Sequence, residues 1–306
     1  MFMEPNQDGG TPLPPPHWQT FQSTLAAEVA AGRVSESRID DAVSRILKKK
    51  FELGLFERPL TPRRNLREVG SREHRAVARR AVAKSQVLLK NKQRVLPVSK
   101  RSDVYVAGSN ADSIGNQAGG WTITWQGNST HQIPGDTILD GIEDAARGDV
   151  TYSQDASAPI GRRDVGVVVV GETPYAEGFG DVGGPRWGFD PGENNVLRPP
   201  QTMQISTADK AAVDKVCAQA KKCVVVVVSG RPLIIEPAQL SQIDGLVAAW
   251  LPGSEGKGVA DTLFGVRPFT GRLPMTWPRT LAQEPINIGD ANYDPLYPFG
   301  FGLRTR

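Results

Sequence analysis

Hydrophobic and polar positions along this chain fall into blocks that switch between two periods. Residues 165–170 read Val-Gly-Val-Val-Val-Val, an apolar run too continuous for a half-exposed strand and too short for most helices. Such a run predicts a strand buried on both faces of a parallel sheet. Residues 224–228 are five valines in succession, residues 246–250 read Leu-Val-Ala-Ala-Trp, and residues 103–107 form a shorter run of the same type. Between these runs lie stretches of helical period at 73–85, 137–146, 211–220 and 258–264, the first with Val77, Ala81 and Val82 on one side and running into Val87-Leu88-Leu89. Strands alternating with helices predict an α/β fold, a mostly parallel sheet covered on both faces.

The opening of the chain does not fit that plan. A helix is predicted through residues 21–31, ending near Gly32. Ser37, with Asp40 three residues later, resembles a capping box, and Ile39, Val43, Ile46 and Leu47 then form one apolar stripe. Ahead of these helices stand only Met1-Phe2-Met3, a stub of strand, and a loop rich in glycine and proline. Two amphipathic helices with so little to pack against predict that something is missing in front of Met1. Residues 59–70, with two prolines and several arginines, read as a linker, and no internal repeat is visible.

Composition narrows the function classes. A chain of 306 residues can bury a sizeable core as one large domain or two smaller ones. Thirty-six basic against 33 acidic residues give +3 with no long block of one sign, so neither nucleic acid nor an anionic membrane is an expected partner. Lys48-Lys49-Lys50 reads as a solvated helix face. No apolar run approaches the roughly 20 residues of a membrane span. The first residues lack a secretion signal, and a cytoplasmic reading would follow if Met1 were the true start. Cys217 and Cys223, at a helix end and the start of the next strand, form either a disulfide, which would indicate an oxidising compartment, or two buried thiols. Three histidines and no C-x-x-C spacing give no zinc site, and neither a metal nor a cofactor is expected.

Candidate chemistry gathers after the run at 165–170. In open α/β sheets ligands lie beyond the carboxyl ends of the strands, which is where Glu172, Glu177 and Asp181 would fall. A carboxylic acid beside an aromatic ring such as Tyr175 in a partly dry cleft can act as a general acid near neutral pH. A solvated loop carboxylate is the simpler reading of either glutamate alone. Trp121 and Trp125, four apart in a glycine-rich segment, place both rings on one side whether the segment is helical or extended. They are either core anchors or a flat apolar platform for the C–H face of a sugar. Gly253-Ser254-Glu255-Gly256-Lys257-Gly258 invites comparison with a phosphate loop. It lacks both the leading glycine, where Leu251 stands, and the hydroxyl residue after the lysine, so it reads as a tight turn before a helix.

Taken in order, several segments resemble one family. They are Ser37-Arg38-Ile39-Asp40-Asp41-Ala42-Val43, Lys50-Phe51-Glu52-Leu53-Gly54-Leu55-Phe56, Lys84-Ser85 to Leu88-Leu89-Lys90-Asn91, Gly119-Gly120-Trp121 to Trp125-Gln126-Gly127, Gly171-Glu172 to Tyr175-Ala176-Glu177, Trp250-Leu251-Pro252-Gly253-Ser254-Glu255-Gly256, Gly271-Arg272-Leu273-Pro274, and Tyr297-Pro298-Phe299-Gly300-Phe301-Gly302-Leu303. The chain resembles the C-terminal part of glycoside hydrolase family 3, the beta-glucosidases and exo-beta-glucanases. The resemblance implies a three-layer α/β sandwich with a mostly parallel sheet of about six strands, preceded by two helices left over from a truncated (β/α)8 barrel. Residues 1–56 would be the barrel remnant, 57–70 the linker, 71–284 the sandwich and 285–306 a tail packing on the body. It further implies a retaining mechanism, with Glu177 as the general acid/base, Glu172 as a framework residue, and Trp125, with Trp121, gripping the sugar on the leaving-group side. The nucleophile would be an aspartate of the missing N-terminal barrel domain, leaving this chain close to inactive alone. The substrates would be beta-glucosides or beta-glucan oligosaccharides, and the full-length protein would be periplasmic or secreted. The rival readings are a non-catalytic carbohydrate-binding or scaffold module and a nucleotide-binding α/β protein.

Overall fold

The computed structural model describes residues 17–60, 62–130, 132–176 and 202–305. The described residues fall into two compact units, one ending at His74 and one starting at Arg75.

The first unit holds α1 (His17–Ala30) and α2 (Glu36–Glu52), separated by a turn in which Gly32 takes φ 70°. Ser35, still extended, caps α2: its hydroxyl accepts the Arg38 N–H at 3.2 Å. Ser37, expected to cap with Asp40, is instead already inside the helix, because the chain turns helical at Glu36. The predicted apolar stripe is present but α2 buries none of its residues; Val43, Ile46 and Phe51 are 45%, 60% and 61% exposed. Within the expected linker, residues Arg63–Arg67 form a short 3-10 turn.

The second unit is built on one six-stranded sheet in the order β1-β6-β5-β4-β2-β3. Its strands are β1 (Val87–Asn91), β2 (Val104–Ala107), β3 (Val150–Tyr152), β4 (Val165–Gly171), β5 (Cys223–Val228) and β6 (Gly245–Trp250). All neighbours run parallel except the edge strand β1, which is antiparallel to β6. As the continuous apolar run predicts, β4 lies between β2 and β5 and is buried on both faces. Period-2 alternation sends its side chains into two separate cores. Val165, Val167 and Val169 face α3 (Arg72–Ser85), α5 (Ile138–Ala145) and α8 (Lys257–Leu263), through Val82, Ile142 and Leu263. Val168 and Val170 face α6 (Thr207–Gln219), through Val213 and Val216, together with Leu233 and Trp277. The result is helix, sheet and helix in three layers. Two further short helices, α4 (Ile114–Ala118) and α7 (Pro237–Gln242), lie in connections.

Cys217, near the end of α6, and Cys223, the first residue of β5, are joined by a disulfide. The last residues return to the sheet: Trp277 pairs with Tyr297, and the Leu303 N–H donates to the carbonyl of Leu88 on β1 at 2.8 Å. Trp277 itself is fully buried and donates its indole N–H to the Leu233 carbonyl at 2.9 Å.

Candidate active site

The sheet order sets where a site can form. From β2 the chain passes outward to β3 and then returns to β4 on the other side of β2. The connections after β2 and β4 therefore diverge, and a crevice opens beyond the carboxyl ends of the two strands. It encloses about 640 Å³ and is lined by polar groups, among them Ser109, Asp112, Ser113, Glu172 and Asp209. Asp209, on the first turn of α6, is buried and accepts the Ser109 N–H at 2.9 Å and the Ser109 hydroxyl at 2.7 Å. Burial pushes its carboxyl above the ordinary aspartate range, opposed by those hydrogen bonds. Neither tryptophan is among the described residues lining this crevice.

Glu172 is the first residue after β4 and is 6% exposed. Its carboxylate accepts Nη2 of Arg231 at 2.8 Å and Nε at 3.2 Å on Oε1, and the Tyr175 hydroxyl at 2.9 Å on Oε2. The Arg231 guanidinium also lies 5.0 Å from the centroid of the Tyr175 ring, within the range of a cation–π contact. A carboxylate so enclosed by donors is held in one orientation by a fixed counter-charge. Arg231 sits in the turn after β5, so the pair also ties together the carboxyl ends of two adjacent strands.

Trp121 and Trp125 do come together, with ring centroids 6.4 Å apart and planes tilted by 49°. The backbone that does this is neither helix nor strand. Residues 121–125 form a clip closed by the Trp121 N–H donating to the Trp125 carbonyl at 2.9 Å. The clip requires positive φ at Gly119 (75°), Trp121 (61°), Ile123 (66°) and Gly127 (70°). At Trp121 and Ile123 this conformation costs about 1–2 kcal/mol each. Trp121 is 72% exposed, while Trp125 is half-buried.

The clip is joined to the segment after Glu172. Gln126 is fully buried, and its side-chain oxygen accepts the Ala176 N–H at 2.9 Å. Gly120 packs so closely on this segment that a Cβ would collide with the Tyr175 carbonyl. Glu177 and Asp181 lie outside the described residues. Gln126 and Arg231 hold this arrangement together and were not singled out from the sequence. Gln126 was legible only as a member of the Trp125-Gln126-Gly127 segment, and nothing in the sequence singled out Arg231.

The glycine turn after β6 packs closely against the start of α5. A Cβ on Gly256 would collide with the Thr137 backbone. Lys257 is held by Asp144 at 2.6 Å and Asp136 at 3.2 Å, and the buried Glu255 accepts Nε of Arg75 at 2.7 Å. Among the described residues no group of three or more His, Cys, Asp or Glu side chains could hold a metal ion.

The fold is that of an open-sheet α/β sandwich domain with a polar crevice at the carboxyl ends of its strands. The model of the glycosyl hydrolase family 3 C-terminal domain matches residues 86–305, and the chain belongs to that family. A lysosomal beta glucosidase of Dictyostelium discoideum is 34% identical over 319 residues, covering 93% of this chain and 36% of the relative. The crystal structure of a mutant exo-1,3/1,4-beta-glucanase from a Pseudoalteromonas species is similar with a TM-score of 0.78 and 36% identity, covering 95% of this chain and 46% of that one. A mutant beta-glucosidase from Listeria innocua, in complex with laminaribiose, is similar with a TM-score of 0.70 and 27% identity, over 92% of this chain and 40% of that one. The chain thus spans less than half the length of these relatives.

Proposed function

We propose that this chain is the C-terminal portion of a retaining beta-glucosidase or exo-beta-glucanase that removes terminal beta-D-glucosyl residues. Glu177 protonates the leaving oxygen and later deprotonates the attacking water, and Trp125, with Trp121, grips the sugar on the leaving-group side. The nucleophile is an aspartate on a barrel domain that these residues do not include. The observation that carries the reading is the Gln126–Ala176 hydrogen bond. It makes the tryptophan clip and the approach to Glu177 one mechanical piece, as a proton donor and the grip on its leaving group need to be.

The reading divides the chain as a barrel remnant (1–56), a linker (57–70), the sandwich (71–284) and a tail (285–306). The bare apolar stripe of α2 supports the first of these, since Ile46 and Phe51 are surface that a barrel's other elements would cover. The Cys217–Cys223 disulfide fits an oxidising compartment, the periplasm or the cell exterior. No helix among the described residues is long and apolar enough to cross a membrane.

Double displacement needs two carboxyl groups about 5 Å apart, and a general acid alone supplies a factor of about 10²–10⁴. The purified chain is therefore close to inactive on 4-nitrophenyl beta-glucoside. Robust turnover abolished by Glu177→Gln would sink that claim. A non-catalytic sugar-binding module is the second reading, favoured by the exposure of the Trp121 ring. An upstream reading frame encoding a barrel decides for the enzyme, and a stop codon just before a genuine start decides for the module.

A further inference from the structure

Gln117 lies in α4, a helix of five residues, and is fully buried. Burying an amide is costly unless its polar groups find partners, and here they do. Its Nε2 donates to the Gly253 carbonyl at 3.0 Å and to the Asp136 carbonyl at 3.2 Å, while its Oε1 accepts the Ile138 N–H at 2.8 Å. Its own carbonyl accepts the Gly253 N–H at 2.9 Å. Gly253 belongs to the turn after β6, and Asp136 and Ile138 stand at the start of α5, so one side chain joins three connections. α4 depends on this joint, because so short an α-helix is not stable by itself in water.

The tryptophan clip grows directly out of α4. Two residues beyond Gln117, Gly119 opens the clip and packs against the side chain of Leu251, in the same turn after β6 that Gln117 holds. Gly127, at the other end of the clip, packs on the Gly119 carbonyl. The clip therefore has two anchorages: one through Gln126 to Ala176, and one at its root through Gln117.

We propose that Gln117 is a positioning residue for sugar binding. By tying α4 to the turn after β6 and to the start of α5, it holds the Trp121 and Trp125 rings in the arrangement that grips the sugar, without touching the sugar itself. This role rests on the reading of the two tryptophans as the sugar grip and deepens it, since a grip formed before the ligand arrives binds more tightly than one that must be ordered on binding.

The test uses the whole chain labelled with ¹⁵N and two readouts. One is amide exchange at Trp121, whose N–H closes the clip on the Trp125 carbonyl; the other is the shift of the indole N–H signals during titration with laminaribiose. Gln117→Glu keeps the size and an acceptor oxygen but loses both donors, and sets a carboxylate oxygen against the Asp136 and Gly253 carbonyls. Gln117→Met has a similar length and removes the amide without adding a charge. In either variant Trp121 exchange quickens by about tenfold or more, and laminaribiose affinity falls by about tenfold. Val213→Ala, which trims the core beneath α6, is the control for lost stability alone: it lowers the melting temperature and leaves both readouts at their wild-type values. Wild-type affinity in folded Gln117→Met overturns the proposal, as does an equal loss of affinity in Val213→Ala. Failure of both Gln117 variants to fold overturns it too, since the residue then serves the fold and not the grip. A wild type whose indole signals ignore laminaribiose overturns the reading of the tryptophans, and the role of Gln117 in sugar binding falls with it.

Discussion

Arg231 grips Glu172 at the carboxyl ends of β5 and β4, with Nη2 at 2.8 Å from Oε1 and the carboxylate only 3% exposed. Because the glutamate has lost its water, each charge depends on the other. Arg231→Met or Glu172→Ala lowers the unfolding free energy of the second unit by about 3–5 kcal/mol. The double variant loses less than the sum of the two. Urea unfolding of the four members of the cycle measures both statements.

Gln126→Leu removes the acceptor of the Ala176 N–H and leaves that amide without the bond it makes now. The expected cost is about 1–3 kcal/mol, and it is local. Hydrogen exchange at Ala176 quickens while the valine strands keep their protection. Gln126→Glu retains an acceptor oxygen and retains the protection.

Asp209 gives the chain a pH dependence of unusual sign. Burial raises its folded pKa above the unfolded value near 3.9. The native state therefore binds more protons than the unfolded chain between the two values. The stability associated with this group is fully present below the unfolded pKa and is lost as pH rises through the folded one. Asp209→Asn removes that decline, so the difference in urea midpoint between variant and wild type widens in the variant's favour from pH 4 upward. A difference that is flat with pH would contradict the assignment.

Tyr297 stacks on Phe301 at 5.0 Å and meets Trp277 edge-on at 6.5 Å. Burial pushes its phenol up to about 12. Titration of absorbance at 295 nm shows one tyrosine ionising near that pH, and the step vanishes in Tyr297→Phe. Since the raised group is protonated in the fold, its contribution persists below about 10, the unfolded value, and disappears as pH climbs through about 12. The wild type therefore loses stability over that interval faster than Tyr297→Phe does.

The parts of this molecule legible in the sequence are those where one physical demand dominates. The run at 165–170 could satisfy its apolar surface only inside a covered sheet, and β4 is such a strand. Val150–Tyr152 escaped notice as β3 because three half-buried residues at a sheet edge carry almost no periodic signal. β1 was hidden for another reason: its Val87-Leu88-Leu89 follows α3 after a single residue and reads as the helix running on. At the site, the meeting of Trp121 and Trp125 was foreseeable from their spacing, but positive φ at a tryptophan and an isoleucine was not, since propensity argues against both. The partnership of Glu172 with Arg231, 59 residues on, belongs to tertiary packing and leaves no local trace.

The hydrogen bond from Leu303 to Leu88 reaches beyond local packing. β1 borders the sheet, and an unoccupied border invites another molecule to add itself as a further strand. At Leu88 the returning chain occupies that border with one antiparallel bridge from Leu303, the kind of cover that blunts an edge. A protein shortened by Leu303 and the residues after it is expected to bare the β1 border and to associate with its own copies more readily.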